Sequence, residues 1–310
     1  MKHTIIFCLV LFILVSSPLF AAGIREERAR EEALAHTPTL SGSSVWKISG
    51  DSGIMFMAGS VHILRETDFP LPGEFDLAFN KSDRLVLEAD VTLMEDPLLM
   101  EYLVSQMFLP DDLTLKDVLD PEVFELLAEV CYEFGFSIND VMRFKPSMVM
   151  MILSLLQIED FGFVQYGVDH YYQEKAYLTG MPVYFLETVE SQIHAIVSMG
   201  VGYENEFILY SIQDMAGTED GLELLMEEWK YGKSEGMEET LRAMREDWPS
   251  IYRALITARH DAWQPQLIDM IASEYVYFVI TGVLHKHGPN GLIQMLEDLG
   301  YTVEQLTTGN

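Results

Sequence analysis

Ile54-Met55-Phe56-Met57-Ala58-Gly59-Ser60-Val61-His62 is an apolar, β-prone run that closes on a glycine and, three residues later, a histidine. Tyr275-Val276-Tyr277-Phe278-Val279-Ile280-Thr281-Gly282-Val283-Leu284-His285 repeats that design near the other end of the chain. Both runs are continuously apolar, the pattern of a strand buried on both faces rather than on one. Two similar runs lie between them. Leu85-Val86-Leu87 leads into Glu88-Ala89-Asp90, and Pro182-Val183-Tyr184-Phe185-Leu186 leads into Glu187-Thr188. All four are expected as buried strands.

The segments between them carry helical patterns, so strands alternate with helices. That alternation predicts an α/β fold with a mainly parallel central sheet covered by helices. Val45-Trp46-Lys47-Ile48 is expected to open the fold, with a hairpin turn at Gly50-Asp51-Ser52-Gly53, and Tyr301-Thr302-Val303 is expected as the last strand. Residues 96–160 and 189–272 are long helical stretches that read as insertions or a helical cap. Pro110, Pro121 and Pro146 break the first, with Asp120 in the cap position before Pro121. Gly200-Val201-Gly202, Gly217, Gly232 and Pro249 part the second. A further helix opens at Gly167-Val168-Asp169 and stops at Gly180.

The chain has 310 residues, 49% of them apolar, enough for a large core. Its formal charge of −30, from 49 acidic and 19 basic residues, repels phosphate backbones and argues against nucleic acid as a partner. The acid is spread along helices, as at Glu223, Glu227, Glu228, Glu238 and Glu239, and reads as a solvated exterior. Residues 1–22 have the order of a secretory signal peptide: Lys2, an apolar stretch from Ile5 to Val15, then Ala21 and Ala22 after Pro18. The expected location is therefore secreted or periplasmic, in the cell envelope. If uncleaved, residues 4–22 are nearly long enough to associate the chain with a membrane. Residues 23–43 read as a charged, mobile lead-in, and 44–307 as a single domain. Cys8 falls in the signal. Cys131 is then alone, on the apolar face of a helix, and reads as structural.

Four strand candidates thus end in polar residues that can bind a ligand: His62, Glu88, Glu187 and His285. In open α/β sheets the carboxyl ends of parallel strands converge on one crevice. Core packing gives no reason to place imidazoles and carboxylates there, and burying them demands a partner such as a cation or a hydrogen-bond network. Two histidines with one carboxylate match the donor set of many catalytic zinc sites. His62, Glu88 and His285 are therefore the expected metal ligands. Asp90 is weighed as a fourth ligand, a group orienting a histidine or a surface aspartate, and Glu187 as a supporting group or a helix-terminus charge. Arg259 either holds a carboxylate near the site or forms a surface pair. His287 is expected to be exposed at the rim, while His36, His170 and His194 are expected to carry no chemistry. Gly-x-Ser-x-Gly, phosphate-loop, dinucleotide and His-Glu-x-x-His motifs are absent from the sequence.

The pieces Met57–Leu64, Leu85–Asp90, Gly167-Val168-Asp169, Leu186-Glu187-Thr188 with Gln192, and Gly282–His285 with Gly288, Gly291, Leu292 and Gly300-Tyr301 resemble, in this order, the TraB/GumN family. That family includes the TIKI-type metalloproteases. The resemblance runs from about Trp46 to Leu306. It implies a fold near the ChaN-like and erythromycin-esterase-like proteins, with His62, His285 and Glu88 as metal-binding and catalytic residues. It also implies manganese or cobalt beside zinc as the divalent metal. One position departs: members often carry Arg-Asn where this chain has Arg259-His260, so His260 is a candidate for altered metal choice or an extra ligand. The expected function is an exported, divalent-metal-dependent hydrolase acting on a peptide or protein substrate, with Arg259 contacting substrate or an oxyanion. The alternative is a non-catalytic protein that sequesters a haem or a signalling peptide in the same crevice. A third reading is an interaction scaffold with a vestigial site.

Overall fold

The apolar runs become six strands of one sheet: β1 Val45–Ser49, β2 Ile54–Ser60, β3 Arg84–Leu87, β4 Val183–Phe185, β5 Tyr277–Gly282 and β6 Thr302–Gln305. The structure is a computed structural model, and it describes residues 42–307 apart from 52, 91, 94, 95 and 165. The signal segment and nearly all of the lead-in fall outside the described residues. The sheet order is β4-β3-β5-β2-β1-β6. β4, β3, β5 and β2 run parallel, while β1 joins β2 as an antiparallel hairpin and β6 adds antiparallel to β1. The backbone N–H of Gly50 closes the hairpin on the carbonyl of Gly53. The α/β, mainly parallel arrangement expected from the sequence is what forms.

β5 lies between β3 and β2, and its register explains the repeated phrase. Ser60 stands opposite Gly282, and Gly59 opposite Thr281. Two Gly-x-x-His phrases far apart in sequence are thus neighbours in space, offset by one residue. Alternate residues of these strands enter two separate cores. Phe56, Ala58, Leu85, Leu87, Phe278 and Ile280 face one, with Phe75 and Tyr172 packed among them. Met55, Met57, Val86 and Val279 face the other, against Trp263, Leu267, Ile271, Leu292 and Leu296. Both faces are dry, which is why the sequence shows no alternation. Each of the larger side chains buried there contributes roughly 1.5–3 kcal/mol of transfer free energy.

β4 differs from the expectation of a fully buried strand. It has three residues at the sheet edge, and Tyr184 is 41% exposed. An edge strand is covered on one side only, so its apolar composition reflects half-burial. The long helical stretches divide at the expected breakers, giving Val189–Val197, Glu204–Met215, Thr218–Tyr231 and Glu235–Asp247 in the second. Asp120 does occupy the cap position before Pro121, but its side chain makes no capping hydrogen bond. Pro249–Tyr252 then passes through a π-helical segment, Arg253–Thr257, into the helix Ala258–Ala272. π-turns are uncommon and concentrate at functional sites. Here the turn delivers Arg259 and His260 to the sheet edge. The indole N–H of Trp229 donates to the carbonyl of Gly59 at 2.8 Å and ties the helix Thr218–Tyr231 to the end of β2.

Candidate functional site

Because the four parallel strands point the same way, their carboxyl ends open on a single crevice. His62 follows β2, Glu88 follows β3, Glu187 lies just beyond β4, and His285 comes three residues after the end of β5. The N–H of Glu187 donates to the carbonyl of Glu88 at 2.9 Å, which sets the two carboxylates side by side. Ser60, His62, Glu88, Arg259, Gly282 and His285 form the polar part of the crevice. Met244, Leu255, Ile256, Val283 and Leu284 form its apolar wall. Gly282 sits at the convergence. A Cβ there would stand 3.4 Å from Cδ2 of His285, 3.5 Å from Oε1 of Glu88 and 3.8 Å from Nε2 of His62. The structure therefore brings His62, Glu88, His285 and Arg259 together.

The protons on the histidines follow from groups that have no choice. Nη1 of Arg259 lies 3.0 Å from Nε2 of His285. A guanidinium can only donate, so that imidazole nitrogen accepts. His285 then carries its proton on Nδ1, which lies 2.8 Å from Nε2 of His260. His260 must accept there and carry its own proton on Nδ1. That nitrogen is 2.8 Å from the carbonyl of Asn290, which can only accept. The two fixed ends of the chain demand the same direction. Burial, with Arg259 and Lys286 nearby, holds His285 well below the usual histidine range and His260 at about 4, so both rings are neutral.

His62 is anchored differently. Its Nδ1 lies 2.9 Å from Oδ2 of Asp169, whose other oxygen, Oδ1, accepts from the Ser60 hydroxyl at 2.9 Å. Burial opposes charging His62, but the charge and hydrogen bond of Asp169 outweigh it and raise its pKa. Asp169 itself is held below its ordinary range, because His62 and His170 outweigh its burial. Gly167 makes this contact possible: a Cβ there would meet Cα of His62 at 2.3 Å and the carbonyl of Val61 at 2.4 Å. Without a side chain, the start of the helix Val168–Thr179 docks on Val61 and His62 and presents Asp169.

Glu88 accepts from the Gly282 N–H at 2.6 Å, from Gln192 Nε2 at 3.0 Å and from Nη2 of Arg259. Burial disfavours its charge, yet Arg259, His62 and these donors together keep its pKa below the ordinary value. Arg259 also grips Glu187, through Nε at 3.1 Å and Nη2 at 2.6 Å. Burial and the neighbouring Glu88 charge raise the pKa of Glu187 despite that grip. Lys286 is fully buried and donates to the carbonyl and hydroxyl of Thr281; burial pushes it down to about 7.

Other sequence readings resolve plainly. Asp90 accepts from Thr92 and Gln173. His194 is exposed, and His36 lies outside the described residues. His287 is not an exposed rim residue: it is half-buried, edge-on to the Trp46 ring, because the loop after His285 folds back over the second core. His260 does not face the crevice as an extra ligand, since His285 and Asn290 take both its nitrogens. His170, set aside from the sequence, approaches Asp169 at 3.7 Å. Asp169 and Lys286 were missed as site residues. The available signal for Asp169 was an acidic residue in the first turn of a helix opened by a glycine.

A divalent cation is the group expected from the sequence. Both histidines are held through Nδ1, His62 by Asp169 and His285 by His260, the kind of support that partners give metal-bound imidazoles. Nε2 of His285 and Oε1 of Glu88 are 3.7 Å apart. Two ligands at about 2.1 Å in tetrahedral array stand about 3.4 Å apart, so a small closing movement suffices. Among the described residues no three His, Cys, Asp or Glu side chains are already closed around one point. The Arg259 guanidinium supplies the positive charge between them as they stand. The donor set fits in kind, and Arg259 shares two of its atoms.

Fold and site together define an α/β protein with a His-Glu-His crevice at the carboxyl ends of its parallel strands. The chain belongs to the TraB/PrgY/gumN family, whose sequence model matches residues 44–305. It is similar to "Uncharacterized protein YbaP" of Escherichia coli (strain K12), 25% identical over 244 residues, which cover 77% of this chain and 86% of that protein. The protein of the same name from Shigella flexneri matches to the same extent. No solved structure matches. Among the described residues no helix is long and apolar enough to cross a membrane.

Proposed function

We propose that the protein is a divalent-metal-dependent hydrolase of amide bonds, and that His62, Glu88 and His285 hold the metal. The observation that carries this reading is the paired anchoring: each Gly-x-x-His histidine is held through Nδ1, His62 by Asp169 and His285 by His260, and both rings line the same crevice as Glu88. Manganese, cobalt and zinc all suit two imidazoles and a carboxylate. A cation bound there supplies Lewis acidity, polarising a carbonyl and making water a nucleophile at neutral pH.

The chain's own residues divide the remaining work. Asp169 keeps His62 oriented and electron-rich. Glu88 stays ionised, as a ligand or as the acceptor of a proton from water. Arg259 is anchored on Glu187 independently of His285, so its Nη1 can face an oxygen that gains negative charge. The wall of Met244, Leu255, Ile256, Val283 and Leu284 favours an apolar side chain beside the scissile bond, so the substrate class is a peptide or protein segment with an apolar residue there. The leader in residues 1–22 supports action outside the cytoplasm, in the periplasm or beyond.

The test is turnover with loading. Purified protein is dialysed against manganese, cobalt or zinc, its metal content is measured, and it is offered a diverse peptide library. Stoichiometric metal, cleavage next to apolar residues, and loss of both in His62→Ala are expected. Cleavage that is unchanged by a chelator, or no cleavage with any of the three metals, overturns the reading.

A further inference from the structure

We infer that His260 is a positioning residue that locks His285 as the Nδ1–H tautomer, so that its Nε2 lone pair always faces the crevice. A histidine behind a strand-end histidine could be mere packing, and the ring centroids are 5.0 Å apart. Two observations say otherwise. His260 is 4% exposed, and both of its nitrogens are engaged within 2.8 Å, so it is neither idle nor solvated. The two termini of the chain are also chemically one-directional: Arg259 only donates and the Asn290 carbonyl only accepts. Of the four ways to place one proton on each ring, only one satisfies both ends and the contact between the rings.

That arrangement has a consequence for the crevice. A free imidazole exchanges between tautomers, and in the other form its Nε2–H would point at Arg259, placing two donors face to face. His260 removes that form by offering only a lone pair to Nδ1 of His285. The carbonyl of Asn290 enforces this by occupying the His260 proton on the far side. Tyr252 donates its hydroxyl to the Asn290 side-chain oxygen at 3.1 Å, which holds the loop carrying that carbonyl. The crevice therefore has two anchored imidazoles of different character. His62 is backed by a carboxylate and His285 by a neutral ring, which gives the two nitrogens unequal basicity.

This inference rests on the site assignment above, but its first test needs no metal. Long-range nitrogen–proton NMR of the full chain labelled with ¹⁵N-histidine reads each tautomer directly, with His285→Gln used to assign the signals. Expected for the unaltered protein at neutral pH is a His285 with protonated Nδ1 and bare Nε2. An Nε2–H signal for His285 overturns the inference without any His260 variant. In His260→Phe only Arg259 still favours the Nδ1–H form, so the bias should weaken and an Nε2–H signal should appear. In His260→Gln, whose amide oxygen replaces the accepting nitrogen, the bias should return. A His285 that is unchanged in His260→Phe, with unfolding midpoints matched, overturns the role.

Manganese affinity gives a second readout, expected to fall about 10- to 100-fold in His260→Phe and to recover in His260→Gln. Equal affinity in all three proteins overturns the positioning role. If the unaltered protein takes up no manganese, the metal reading fails alone, and the tautomer measurement still decides this inference.

Discussion

Nη2 of Arg259 is shared between two carboxylates, Glu88 and Glu187, while Nη1 of the same side chain donates to His285. One planar fork thus bridges two buried acids and fixes a ring proton. A lysine carries the same charge but no fork, and cannot serve three partners at fixed angles. Removing one member of a buried ion cluster strands the others, which costs roughly 3–5 kcal/mol. Arg259→Met should therefore lower stability by about that much in urea unfolding. Arg259→Lys should fall between the two proteins in stability and lose more than about tenfold in peptide turnover, the scale of one positioned charge at a developing oxyanion. Full activity in Arg259→Lys would contradict the fork's role.

Asp169 gives the second expectation. It holds Nδ1 of His62 at 2.9 Å and raises the pKa of that ring. Asp169→Asn leaves an acceptor in place but withdraws the charge. Manganese titration should show about 10- to 100-fold weaker binding, with a fold that still melts cooperatively. His62 should also titrate at a lower pH by NMR, because burial then acts without an opposing carboxylate. An unshifted His62 would show that Asp169 acts on something else.

The parts of this molecule that could be read from the sequence were those set by continuous apolar runs and by glycine or proline breaks. β2, β3 and β5 are strands for the reason their composition gives, and the helices between 189 and 249 end where glycine or proline stops them. The convergence of His62, Glu88 and His285 was also legible, because strand direction carries every strand-end residue to the same edge. What could not be read depends on packing between distant segments. β4 looks like a core strand until its place at the edge is known. Asp169 is an ordinary first-turn aspartate until Gly167 lets its helix touch His62. His260 looks like a spare ligand until the ring of His285 is found in front of it.

Cys131 supplies a pH dependence. Its thiol is fully buried, and burial pushes its pKa up to about 11 from 9.0. In the unfolded chain the thiol ionises first as pH rises, so between about 9 and 11 the unfolded state binds fewer protons and stability falls. The stability difference between the unaltered protein and Cys131→Ala should shrink across that window and stay constant below pH 8. A disulfide-exchange reagent at pH 8 should leave the native thiol untouched and label it once urea unfolds the chain. Rapid labelling in the native state would place the sulfur at the surface.

The two glycines of the repeated phrase separate fold from function most cleanly. A Cβ on Gly59 would lie 2.9 Å from the backbone Cα of Val283 and 2.7 Å from its Cγ2. Backbone just past the end of β5 cannot yield there without straining the β2–β5 pairing, so Gly59→Ala should destabilise by about 1–3 kcal/mol, as overpacking does. A Cβ on Gly282 meets nothing closer than 3.4 Å, an ordinary contact. It would, however, project into the space between His285, Glu88 and His62. Gly282→Ala should therefore unfold within about 1 kcal/mol of the unaltered protein while manganese binding and peptide turnover collapse. The same substitution at two equivalent places in one motif would then give opposite results, because the first glycine makes room for a strand and the second for a ligand. If Gly282→Ala binds manganese normally, the point where the three side chains converge is not where the cation sits.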